Sequence, residues 1–423
     1  MTRGPGRGRK HESPMKLDRT LRFVSLASIL TTAAAAQAQS LTNRDQKSSP
    51  SGSFRSFLSR VEAESDPLAR TSLVGRFIDS LISLRHAHIE DSTVYLLYRG
   101  KAGRVTVPSD LNGWNPSADS MTRVAGTDLF YLSKTLDQRA RFEYKFYVDS
   151  TWILDPLNLQ QAMGGHGPNS EVWMPLYSPP PEIEYRSTVP HGTVDTISFE
   201  SALLGRIHPV FIYKPPGYKG SRKSYPVIYV TDGGEYISLA LMLNVLDNLI
   251  AENRLEPVVG IFVDPRTDVR DPGTSRRMTD YAMSDTFVNA LITELRPRLM
   301  NKYRLASDPA ETAILGASLG GLIATYAAMT HPEVFGLCAA QSPSYWWNND
   351  AVIHLAETTP RKPVRFYIDT GTIRDAEEKA HRMSQVLESK GYRVMYGEYP
   401  EGHNWVNWRA RLATLLTYFW GKD

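Results

Sequence analysis

The run Ala313-Ile314-Leu315-Gly316-Ala317-Ser318-Leu319-Gly320-Gly321-Leu322-Ile323-Ala324 constrains this chain more than any other segment. A serine stands between two glycines, after an apolar stretch and before an apolar, Ala-rich one. That order fits a strand turning sharply into a helix, with the serine held on the bend in a strained backbone conformation. Gly316 and Gly320 leave room for the two segments to approach closely. The helix start behind Ser318 supplies partial positive charge. The amide of Leu319 then points where an oxygen would become negative once the hydroxyl attacked a carbonyl. The bare G-x-S-x-G spacing is common; its flanks give it meaning here.

The surrounding pattern from Thr193 to the end alternates strand and helix. Candidate strands are Ile207–Tyr213, Tyr225–Thr231, Val258–Val263, Thr312–Leu315, Phe335–Ala340, Val364–Ile368 and Tyr392–Tyr396. Such alternation predicts an α/β fold over 193–423, an open and mostly parallel sheet with helices on both faces. Chemistry is expected in the loops at the carboxyl ends of those strands.

A serine hydroxyl is a poor nucleophile at neutral pH and needs a base to take its proton. Of ten His, four follow Ser318. His331 precedes Pro332 at a helix end, His381 falls in a charged helical stretch, and His354 has no special setting. His403 follows the last candidate strand, in Tyr399-Pro400-Glu401-Gly402-His403-Asn404-Trp405, where Gly402 lets the loop turn back over the sheet. It is the expected base. The acid that holds the imidazole is sought after Val364–Ile368. Asp375 is preferred there over Asp369, which lies too near the strand end, and over Glu377 and Glu378, which begin a solvated helix. A Ser–His pair without a strong acid stays open. The second oxyanion donor is expected in Thr231-Asp232-Gly233-Gly234-Glu235, at Gly233 or Gly234.

The front of the chain differs. Residues 53–86 carry apolar positions near helical spacing: Phe57, Val61, Leu68, Leu73, Phe77, Ile78, Leu81 and Ile82. Over 90–160 short strand-like runs, Thr93–Tyr98, Arg104–Val107, Leu129–Leu132 and Phe142–Val148, are separated by turn residues, which predicts a β-sandwich. Residues 39–89 read as a polar leader and helical segment, and 161–192, rich in Gly and Pro, as a linker or a loop laid across the cleft. Residues 1–38 read as an export signal, or 15–38 if Met15 is the start. A charged stretch from Met15 precedes apolar Leu21–Ala36, then Ala36-Gln37-Ala38 offers a small-x-small cleavage site before Gln39. The alternative is a membrane anchor, for which the apolar run is short. Elsewhere no segment is apolar enough to span a membrane, so a protein exported to the periplasm or beyond the cell is expected.

Two resemblances follow. Tyr95–Gly100, Val107–Trp114, Tyr144–Val148, Trp152 and Asp155–Asn158 resemble an early-set, immunoglobulin-like module related to glycogen-binding modules and found ahead of some esterases. Trp114 and Trp152 could stack on a ligand or pack the sandwich, and packing is preferred. Tyr225–Tyr229 with Asp232-Gly233, the Gly316–Gly321 elbow, Ser342–Trp347, Thr372–Asp375, and Glu401–Trp405 with Trp408 resemble the esterase D-like branch of the α/β-hydrolases, which includes enterochelin esterases and the feruloyl and acetylxylan esterases. That resemblance covers about 195–420. It implies carboxylic ester hydrolysis through an acyl-serine, with Ser318, Asp375 and His403 as the triad and no metal or cofactor. The spacing from Gly371 to Asp375 is longer than in many relatives.

The expected partner is a small-molecule or polysaccharide-linked ester: a siderophore lactone or aryl ester, or alternatively a feruloyl or acetyl group on plant polysaccharide. A non-catalytic carbohydrate-binding protein on a hydrolase scaffold is the reading from another class. Tyr345, Trp346 and Trp347 could line the cleft or pack beneath it. Arg277, with Arg266, Arg270 and Arg276, could meet an anionic substrate or simply be solvated. The charge shows no nucleic-acid footprint: the formal net charge is +3, but residues 1–38 hold seven Lys/Arg and two Asp/Glu, which leaves 41 basic and 43 acidic residues beyond them. The single cysteine, Cys338, sits in an apolar run and is expected in the core. Oligomeric state has no signature in the chain.

Overall fold

The structure is a computed structural model that describes residues 53–82, 86–218 and 224–422. The export-signal expectation lies outside the described residues.

Two helices open the described chain, α1 (Phe54–Ala63) and α2 (Pro67–Ile82). Ser53 caps the first, its hydroxyl accepting from the Ser56 amide at 3.2 Å. Phe57 and Phe77 stack at 3.9 Å, and Phe54 meets Tyr95 at 4.5 Å, so the pair of helices lies on the sandwich behind it. Of the apolar positions expected to pack, Leu68 and Ile82 are exposed.

Ten short strands follow: β1 (His88–Glu90), β2 (Thr93–Arg99), β3 (Val105–Thr106), β4 (Thr122–Arg123), β5 (Leu129–Thr135), β6 (Arg141–Tyr144), β7 (Phe146–Val148), β8 (Thr151–Ile153), β9 (Gln161–Gly164) and β10 (Gly167–Trp173). They form antiparallel sheets in the orders β1-β2-β5-β4, β6-β10-β9 and β3-β7-β8 around Val94, Leu96, Phe130, Phe142 and Phe146. The single run expected over Phe142–Val148 is broken at Lys145, whose amide donates instead to the Pro108 carbonyl at 3.0 Å. The stretch expected as a linker from residue 161 is a hairpin, β9–β10, and β10 pairs with β6. Gly and Pro at its tip hide the alternation on either side. Trp114 is half-buried, its indole N–H donating to Asp110 Oδ1 at 3.0 Å, whereas Trp152 stays 46% exposed on β8.

The remaining strands, β11 (Thr193–Ser201), β12 (Arg206–Lys214), β13 (Val227–Val230), β14 (Val259–Val263), β15 (Thr312–Ala317), β16 (Leu337–Gln341), β17 (Arg365–Gly371) and β18 (Arg393–Tyr399), build one eight-stranded sheet. Its order is β11-β12-β14-β13-β15-β16-β17-β18. The first three strands are antiparallel neighbours, and the rest pair in parallel. β11 escapes a hydrophobic reading because it is an edge strand in which only Phe199 and Ser201 are buried. The central strands are buried on both faces, as parallel strands under helices must be. Ile314, Cys338 and Phe366 point into one core layer and Leu315, Ala339 and Tyr367 into the other, the alternation of a pleated strand. The parallel pairing of β13 and β15 to β18 brings the loops after all five to a single edge. Among the described residues no helix is long and apolar enough to cross a membrane.

Phe57→Ala removes one face of the Phe57–Phe77 stack. It should destabilise the front helices by about 3–5 kcal/mol, measurable by guanidinium unfolding.

Candidate active site

Ser318 ends β15 and begins the helix α3 (Leu319–Thr330). Its backbone sits at φ 59°, ψ −121°, a region costly for any residue with a Cβ. The close packing around it explains both glycines. A Cβ on Gly316 would lie 2.2 Å from the Gly320 carbonyl, and one on Gly320 would lie 2.5 Å from Thr231 Oγ1. The strained turn is pinned from the next loop: the Ser318 amide donates to the Gln341 carbonyl at 2.9 Å, and the Ser344 amide donates to the Ser318 carbonyl at 3.0 Å. The Ser318 hydroxyl is 3.3 Å from that of Ser344.

Asp375 and His403 come from the loops after β17 and β18. His403 Nδ1 lies 2.6 Å from Asp375 Oδ1. The other carboxylate oxygen accepts from the Ser342 hydroxyl and from the Gly371 amide, each at 2.6 Å. The Asp375 side chain is fully buried while the imidazole is 41% exposed. Because Nδ1 faces the carboxylate, Nε2 is the nitrogen left to accept a proton. Trp408 buttresses the ring edge-on at 5.1 Å and donates its indole N–H to Ser342 Oγ at 2.9 Å. No hydrogen bond joins Ser318 to His403 among the described residues; catalytic contacts of this kind commonly tighten only around substrate.

The alternatives fall elsewhere. Asp369 is buried under the loop and accepts from Gln341 Nε2 at 3.0 Å, and burial pushes its carboxyl up to about 7. Glu377 and Glu378 start the helix Glu377–Ser389. His331 pairs with Glu333, His381 lies beside Glu398, and His354 is in the helix Trp347–Thr358.

The residues offered as possible substrate contacts differ in exposure and in partners. Tyr345 is completely buried, its hydroxyl 2.7 Å from Thr325 Oγ1. Trp347 packs partly buried against the core, and Trp346 alone of the three is largely exposed. Arg277 donates through Nε to Asp232 at 2.9 Å and through Nη2 to the Ala317 carbonyl at 2.9 Å, tying the β13 loop to the strand below Ser318. Arg266 and Arg270 pair with Asp264 and Asp268. The Gly234 amide is taken by Asp264 Oδ2 at 3.0 Å, which leaves Gly233, the first residue of the helix Gly233–Ser238, as the candidate second donor beside Leu319.

Sequence reasoning gave no role to Ser342, Ser344 or Gln341, although Gln341 ends β16 and the two serines follow it on the same sheet edge. It also passed over Glu235. Burial, followed by the charge of Asp232, pushes that carboxyl up to about 7. The tip of the β9–β10 hairpin reaches this point: a Cβ on Gly165 would lie 3.4 Å from Glu235 Oε1 and 3.9 Å from Trp405 Nε1.

A family model named Esterase, described as "Putative esterase", matches residues 201–419. An iron(III) enterobactin esterase of Escherichia coli (strain K12) is 28% identical over 344 residues, covering 72% of this chain and 83% of that protein. An endo-1,4-beta-xylanase/feruloyl esterase of Xylanibacter ruminicola is 24% identical over 243 residues, 55% of this chain and 32% of that protein. Among solved structures, an enterochelin esterase from Shigella flexneri superposes with a TM-score of 0.66 at 22% identity, covering 81% of this chain and 97% of its own.

The two elbow glycines should respond differently to substitution. At Gly320 the added methyl meets a side chain, so Thr231→Ala should restore soluble, folded Gly320→Ala. At Gly316 it meets backbone, and Thr231→Ala should rescue nothing. Yield of folded protein and thermal midpoint separate the two cases.

Proposed function

The chain belongs to the Esterase family and is a carboxylic ester hydrolase on an α/β-hydrolase sheet, and we propose that it works through an acyl-serine formed on Ser318. The observation that carries this reading is the strained Ser318 at one sheet edge with the Asp375–His403 pair, at 2.6 Å, on the same edge. Ser318 Oγ attacks the ester carbonyl as its proton passes to His403 Nε2. Negative charge on the carbonyl oxygen is met by the amides of Leu319 and Gly233. The tetrahedral adduct collapses, the C–O bond to the alcohol breaks, and Nε2 returns the proton to the leaving oxygen. Water then attacks the acyl-serine with the same base, releasing acid and regenerating Ser318. Asp375 keeps the proton on Nδ1 and stabilises the imidazolium.

For substrate we favour siderophore lactones or related aryl esters. The enterobactin esterase relative matches this chain over most of both lengths. Trp346, 56% exposed in the loop that pins Ser318, offers a flat face for an aromatic acyl group. The feruloyl or acetylxylan reading draws on the Xylanibacter relative, of which only 32% is covered. Residues 90–160, the front module, and 161–173, the hairpin, act in this reading as one unit ahead of the hydrolase. The segment 15–38 would export the enzyme, with Gln39 as the mature first residue, which N-terminal sequencing checks.

Ser318→Ala should abolish both turnover and fluorophosphonate labelling, and Asp375→Asn should lower kcat by about 10³–10⁴-fold. Wild-type protein that is folded yet never labels would sink the mechanism and favour a binding protein. Hydrolysis of an enterobactin-type trilactone at a kcat/KM well above that for feruloyl or acetyl xylan is expected; the reverse order assigns the polysaccharide reading.

Glu235 yields a pH-dependent signature. Its folded carboxyl, raised from 4.5 to about 7, holds a proton that the unfolded chain has lost, so stability falls as pH rises through that interval. Glu235→Gln should therefore raise the thermal midpoint at pH 8 and change it little at pH 5.

A further inference from the structure

The front module reaches the two loops that carry the acid and the base. On the base side, the Arg141 amide donates to the Pro400 carbonyl at 3.0 Å. Asn404, next to His403, is gripped at both ends of its amide: Oδ1 accepts from Arg141 Nη1 at 2.8 Å, and Nδ2 donates to Asp110 Oδ2 at 2.9 Å. Gly402, on the other side of His403, has no side chain where Asp110 sits; a Cβ there would lie 2.5 Å from Asp110 Cγ. On the acid side, Ile373 packs against the sandwich core, and Gly113 abuts Arg374, the left-handed residue (φ 48°) just before Asp375.

This grip is itself rigid. Arg141 is fully buried and donates to Glu143 at 2.8 Å and Glu171 at 2.6 Å, both buried. Asp110 accepts from the Glu143 amide at 2.8 Å and from Trp114 Nε1 at 3.0 Å. A simple domain contact does not require buried ionic groups aimed at the residues flanking a catalytic base, because burying such groups is costly unless every one is paired. Asn404 also caps the helix Trp405–Ala410, its Oδ1 accepting from the Asn407 amide at 3.1 Å, so moving Asn404 moves the loop and the helix together.

We propose that the front module is a working part of the catalytic site, in which Asp110 and Arg141 are positioning residues that set His403 through Asn404. The inference rests on the reading of His403 as the base. It gives the module a task in turnover distinct from holding substrate.

The test exchanges the two polar partners in the full chain. Asn404→Asp sets a second carboxylate against Asp110; Asp110→Asn together with Asn404→Asp restores one amide and one carboxylate in opposite places. With 4-nitrophenyl acetate, the single variant should lose about 10- to 100-fold in kcat with KM changed by less than about threefold. The double exchange should recover most of that loss. Asn404→Ala serves if the single charge variant fails to fold, with the same split expected. Wild-type kcat in folded Asn404→Ala, a change confined to KM, or a double exchange no faster than the single would overturn the proposal. His403→Ala assayed alongside keeps the two readings apart: if it turns over at the wild-type rate, the base assignment fails; if it is dead while folded Asn404→Ala is fully active, only the positioning role fails.

Discussion

A carboxylate cut off from water has to be met by donors on every side, and at Asp375 that requirement organises the whole carboxyl edge of the sheet. Its three partners come from different places: His403 from the loop after β18, Ser342 from the loop after β16, and the Gly371 amide from the end of β17. Leaving one out would strand a buried charge, at a cost of several kcal/mol. The same Ser342 hydroxyl accepts from Trp408, whose ring edges the imidazole. One oxygen atom thus links Asp375, the support of His403 and the loop that pins Ser318.

Close approach does the remaining work. A Cβ on Gly371 would lie 2.1 Å from the Glu401 carbonyl, so the loops that carry Asp375 and His403 can touch only because that position is bare. Gly316 plays the equivalent part beneath Ser318, and Gly402 beneath Asp110. The site is therefore assembled from backbones at near contact.

The elbow was legible because all its requirements are local: strand, glycine, serine, glycine, helix within a dozen residues. The candidate strands between Tyr225 and Ile368 were legible for a related reason, since strands buried on both faces are continuously apolar. The alternatives for Tyr345 and Arg277, and the choice between Gly233 and Gly234, stayed open in the sequence because their partners, Thr325, Asp232 and Asp264, are set by how the loops fold over one another. The same residues would suit a substrate equally well on composition alone. The β9–β10 hairpin was hidden by its own glycine-rich tip, and β11 by its exposed edge position. Asn404 gave no signal at all, since the residues that grip it lie 263 and 294 positions earlier in the chain.

Cys338 lies in the middle of β16, wholly enclosed, with burial pushing its thiol up to about 12. Being the only sulfhydryl in the chain, it stays silent to alkylating reagents for as long as the central sheet holds together. The molecule thus carries a built-in gauge of its own opening: the rate at which that one atom is capped reports how often the sheet parts, without any engineered label.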